Sequence, residues 1–63
     1  MFEIGDKVIV NYKEFINAPG IVFDNDEMDL YNTGRISIKG LPGTPIGSYC
    51  LIPVDHIELF KRA

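Results

Sequence analysis

Apolar and polar positions alternate most cleanly at two places in the chain. Over Lys7-Val8-Ile9-Val10-Asn11-Tyr12, Val8 and Val10 share one side while Lys7, Ile9 and Asn11 share the other. That period of two belongs to a strand with one inward face. Arg35-Ile36-Ser37-Ile38-Lys39 repeats it, with Ile36 and Ile38 inward. A turn pair, Gly5-Asp6, leads into the first of these strands.

The intervening stretches are read from their punctuation. Lys13 to Gly20 is short and holds Pro19, which biases Ala18 away from helical angles, so the pattern predicts a loop there. Phe15 and Ile16 in that loop either cap one end of the core or face a partner. Gly20-Ile21-Val22-Phe23 reads as the second strand, and its unbroken apolar run predicts a cover of loop or partner on its outer side. Asp24 to Asp29 reads as the loop between the second and third strands, and Asn32-Thr33-Gly34 as a tight turn. Gly40 to Gly47, with two prolines, is a further loop. Ser48 to Ile52 is the fourth strand, ended by Pro53. Val54 to Ile57 suits a short 3₁₀ turn, with Asp55 stabilising it through its side-chain oxygen. Glu58-Leu59-Phe60 is a short fifth strand, followed by Lys61-Arg62-Ala63 as a solvated tail.

Five short strands in 63 residues predict an all-β fold: one domain over residues 1–63, a small five-stranded barrel with a 3₁₀ turn before the last strand. The inward set is Val8, Val10, Val22, Ile36, Ile38, Leu51, Ile57 and Leu59. Phe2, Phe15, Ile21, Phe23, Met28, Tyr31, Leu41, Ile46, Ile52 and Phe60 remain. A barrel this small buries only about 60% of the surface its unfolded chain exposes, so some of these belong on the outside.

Composition narrows the function classes. At 46% hydrophobic and 24% charged, the chain is globular rather than disordered. It has no run of about 18 apolar residues, and its first residues include an acid and no apolar core, so neither a membrane span nor a secretory signal is expected. A single cysteine, Cys50, and a single histidine, His56, point to a reducing, cytoplasmic setting without a structural zinc. The net charge of −3 argues against general nucleic-acid binding. It is unevenly spread: residues 1–31 hold two lysines against seven acids, whereas residues 32–63 hold four basic residues against two acids.

Three pieces resemble the SH3-like small barrels, in particular their KOW-type and Tudor-like branches. Gly5-Asp6-Lys7-Val8-Ile9-Val10 is similar to the opening G-D-x-V-x-V of many such domains. Pro19-Gly20-Ile21-Val22 is similar to the G-x-V of a KOW second strand. Leu51 to Leu59 is similar to their closing strand, 3₁₀ turn and last strand. The resemblance implies a fold. The loop after the first strand pairs Lys13 with Glu14 instead of being basic, and no tryptophan stands beside Tyr12, Phe23, Tyr31 and Tyr49, so no ligand is carried over. In size and acidity the chain also looks like bacterial and phage accessory proteins that dock on a larger cytosolic machine.

The first functional expectation is therefore a non-enzymatic, regulatory protein-interaction module. Its face would be Ile21, Phe23, Met28 and Tyr31, rimmed by Asp24, Asp26, Glu27 and Asp29. A second is a KOW-like nucleic-acid-binding barrel using Arg35, Lys39, Lys61 and Arg62. A third is a homo-oligomer that hides the surplus apolar residues. Chemistry is not expected: His56 with Asp55 or Glu58 lacks a nucleophile in a recognisable motif, and Cys50 sits inside an apolar strand. A calcium loop from Asp24 fails at Asp29, where glycine is needed, and at Arg35, where glutamate is needed. No cofactor or metal is expected.

Overall fold

The computed structural model describes residues 2–23 and 34–63; the acidic stretch, with Met28 and Tyr31, lies outside the described residues. Five strands form one antiparallel sheet: β1 (Lys7–Tyr12), β2 (Phe15–Val22), β3 (Arg35–Lys39), β4 (Tyr49–Pro53) and β5 (Ile57–Lys61). A 3₁₀ turn, Val54–His56, precedes β5. The strand order is β4-β3-β2-β1-β5, so the last strand returns beside the first. Among the described residues β4 and β5 are the sheet's two edges, and the sheet is not closed.

The inner face carries the core. Val8 and Val10 of β1, Ala18 and Val22 of β2, Ile36 and Ile38 of β3, and Ile52 of β4 are buried in one cluster with Leu41. Among the described residues this face is buried by its own side chains and Leu41. Gly20 lies close against that cluster. A Cβ placed there would overlap Ile38 Cγ2, inside any permitted contact. Leu41 closes the cluster from the loop after β3, where Thr44 Oγ1 donates to the Leu41 carbonyl oxygen at 2.6 Å.

The strands differ from the sequence reading in three ways. The stretch Phe15–Gly20 is strand, not loop. Pro19 is tolerated because β3 reaches only Ile21 and Val22, leaving the earlier part of β2 paired to β1 alone. Phe15 packs against the core while its neighbour Ile16 is exposed. On β4, Ile52 rather than Leu51 is the core residue, because the register sets Ile52 opposite Ile36 and Leu51 opposite Ser37. Leu59 is partly exposed, since β5 is an edge with a neighbour on one side only.

The presumed tail is also part of the structure. Asp6 is fully buried, and its carboxylate accepts the Glu3 N–H and the Ala63 N–H, each at 2.9 Å, and an Arg62 N–H at 3.2 Å. The Asp6 carbonyl oxygen accepts from Val22 N–H, and Gly5 N–H donates to the Val22 carbonyl oxygen at 2.8 Å. Gly5 holds a φ of +94°, a conformation only glycine adopts without strain. The Gly5-Asp6 turn thus clasps both ends of the chain to β2. The Glu3 and Ala63 amides hold the Asp6 carboxyl below its usual 3.8, burial opposes them, and Arg62 adds a smaller push downward.

Candidate functional site

The outer face of the sheet is built in rows. Lys39 of β3 pairs with Ile21 of β2, Ile21 with Lys7 of β1, and Lys7 with Lys61 of β5. These four residues form a line across four strands, with Ile21 flanked by Lys39 and Lys7 and with Lys61 beyond Lys7. Adjacent strands lie about 4.8 Å apart, so the cations of Lys7 and Lys39 start from backbone positions about 10 Å apart. The next row along β1 is Glu58, Ile9 and Pro19. Beyond it, Asn11 meets Asn17 and His56: Asn17 N–H donates to Asn11 Oδ1 at 2.8 Å, and His56 Nδ1 lies 2.9 Å from the Asn11 carbonyl oxygen.

A shift of register brings Phe60 to this face. Val8 pairs with Leu59 but Lys7 pairs with Lys61, which leaves Phe60 as the extra residue of a bulge. Its ring is 70% exposed and lines an open groove of about 340 Å³ with Ile9, Pro19, Ile21 and Lys7. A second groove continues from Ile21 past Lys39 to the exposed Ile46. A third continues from Ile9 to Asn11, Asp55, His56 and Glu58. The first groove shares residues with each of the other two, and together they form one surface: uncharged residues run out to Ile46 at one end, Lys39 and Lys7 flank Ile21 toward the centre, and Asp55 and Glu58 stand on the other side of Ile9.

Of the residues expected to bind a protein, Ile21 lines the first two of these grooves and Phe23 lines none of the three. Both are half-buried. Phe23 meets the Tyr49 ring edge-on at 5.3 Å between centroids, and the Lys39 ammonium lies 5.7 Å above the Phe23 ring. Of the expected rim, Asp24, Asp26, Glu27 and Asp29 lie outside the described residues, as do Met28 and Tyr31. The charges that the described structure sets beside Ile21 are the lysines at positions 7 and 39. Ile9, Pro19, Ile46 and Phe60 belong to the same surface. The signal for Ile9 was an apolar residue on the outward side of an alternating strand.

The four basic residues of the nucleic-acid expectation are dispersed. Lys39 and Lys61 are in one row but separated by β2 and β1. Arg62 is held against the buried Asp6, and Arg35 lies at the far end of β3, opposite Pro53. Ser37, between Arg35 and Lys39, is fully buried. Cys50 is half-buried against the core as a free thiol. Asp55 makes no side-chain cap on the 3₁₀ turn; the backbone anchors that turn instead, through Val54 N–H to the Gly34 carbonyl oxygen at 2.8 Å. Among the described residues no three metal-ligating side chains cluster, and no helix is long and apolar enough to cross a membrane. Comparisons with protein-family models, with curated proteins and with solved structures find no significant match for this chain.

Proposed function

We propose that this chain is a non-enzymatic protein-interaction module, built as an SH3-like small barrel, that docks through the outer face of its sheet. The observation that carries the reading is the continuous apolar surface of Ile9, Pro19, Ile21, Ile46 and Phe60, laid out over two adjoining grooves. A water-facing sheet ordinarily carries polar residues at such positions, and an exposed contiguous apolar patch marks a contact surface. The strand, 3₁₀ turn and strand at the end of the chain agree with the closing element of the small barrels it resembles. The burial of Ser37 and the structural engagement of His56 with Asn11 favour binding over catalysis.

The test is parallel capture from a lysate of the producing cell on the tagged chain and on a Phe60→Ser/Ile46→Ser variant, with nuclease treatment and quantitative mass spectrometry. A protein recovered in stoichiometric amount by the unmodified chain and lost from the variant supports the reading. Equal recovery on both removes this face from consideration.

A further inference from the structure

The outer groove has a direction, and the direction specifies its ligand. Along β1, outward residues recur every two positions, about 7 Å apart. The first row is cationic, with Lys39, Lys7 and Lys61; the second sets Ile9 and Pro19, which line a groove with Phe60, beside the carboxylate of Glu58; beyond it Asp55 stands with Asn11 and His56. The ion pair of Arg62 with Asp6 involves none of these three ammonium groups, and no described carboxylate is paired with them. The whole course, from the Lys7 row to the Asn11 row, spans about 13 Å, the length of four or five extended residues.

We propose that this groove takes an extended, charge-segregated peptide segment of a partner protein, with acidic residues at one end, aliphatic residues in the middle and basic residues at the other. The inference rests on the protein-interaction reading and names the chemistry of its partner. Carboxylates of the segment meet Lys7 and Lys39, its aliphatic side chains cover Ile9, Ile21 and Phe60, and its basic end meets Glu58 and Asp55. The apolar centre supplies affinity, while the charged ends set register and direction. A nucleic-acid strand fits the same groove less well. Its phosphates run the full length and would meet Asp55 and Glu58, and the floor is aliphatic where stacked bases need a series of rings.

The probes are three blocked heptapeptides sharing a Val-Leu-Val centre. One has two glutamates before it and two lysines after it, one has glutamates at both ends, and one has lysines at both ends. A decathymidylate is the fourth probe. Fluorescence titration at low salt should show the mixed peptide binding about fivefold tighter than either single-sign peptide, the gain two exposed ion pairs give. Lys7→Glu/Lys39→Glu should weaken the mixed peptide about tenfold, because two attractions become repulsions. Glu58→Lys should raise the affinity of the all-glutamate peptide, a gain that no loss of folding imitates. Circular dichroism confirms that each variant is folded. Three peptides bound within twofold of one another overturn the charge polarity and leave the apolar docking face standing. Absence of binding by all three overturns the inference, and the capture experiment then judges the docking face separately. Decathymidylate bound more tightly than every peptide, and lost with Lys7→Glu/Lys39→Glu, assigns the groove to nucleic acid and overturns both.

Discussion

The Asp6 carboxylate accepts the backbone N–H of Ala63 at 2.9 Å, joining residues 57 positions apart. It also accepts the Glu3 N–H, so one buried side chain ties both ends of the chain to the start of β1. A 63-residue chain has about 3–9 kcal/mol of stability in total, so a single clasp of this kind is a large share of what holds the ends in place.

Asp6→Asn keeps the size of the side chain but removes its charge and turns one acceptor into a donor. It should lower the urea midpoint at pH 7, and Arg62→Ala should lower it less, since the two backbone amides dominate the carboxylate's environment. The pH dependence has a definite sign. The folded pKa lies below 3.8, so the stabilisation is complete above that value and is lost as pH falls through the folded pKa. Midpoints of the unmodified chain and Asp6→Asn should differ at pH 7 and draw together as the pH falls below 3.8. A constant difference across that range would contradict the clasp.

Gly20→Ala should cost about 1–3 kcal/mol, because the new methyl group overlaps Ile38 Cγ2 in a packed core. Ile38→Ala removes the obstructing atom at its own cost of about 2–5 kcal/mol. In that background Gly20→Ala should cost less than it does alone. Denaturant melts of the four chains form the cycle, and additive costs would show that the two positions do not touch.

Asn17 sits at a φ of +48° in the bulge opposite Asn11, where Asn11 Nδ2 donates to Asn17 Oδ1 and the Asn17 backbone N–H donates to Asn11 Oδ1. Asn17→Val should cost about 1–2 kcal/mol, since a β-branched residue is strained in that conformation. Asn17→Gly should cost less than half as much, because glycine accepts the angle, keeps the backbone N–H donor, and the one side-chain bond lost is exposed to water. Thermal melts of the two variants check the order.

Core and groove should respond oppositely to truncation. Ile36→Ala empties a fully buried site and should cost about 2–5 kcal/mol, most of what the chain has. Phe60→Ser and Ile46→Ser change exposed positions and should stay within about 0.5 kcal/mol of the parent. Urea titration settles the contrast; a loss above about 1.5 kcal/mol in Phe60→Ser would mean that its ring packs on the fold rather than waiting for a partner.

The sequence alone determined what depends on near neighbours. Alternation located β1 and β3 with their inward residues, proline and glycine placed the connections, and Val54 to His56 was legible as the turn before the last strand. These features follow from side-chain period and local backbone restriction, which a single strand already contains. Only the tertiary structure decided which strands lie side by side, and that pairing decided the rest. Pro19 looked like a breaker until β2 proved to have one neighbour along that stretch. Leu51 read as the inward residue of β4 until Ile36 selected Ile52 across the ladder. Asp6 read as a turn residue, and Arg62 and Ala63 as a tail, because nothing local reveals a contact between opposite ends of the chain. The row Lys39-Ile21-Lys7-Lys61 is likewise written in no segment. It exists because register brings four separate strands into line, and register is set by the burial of the opposite face.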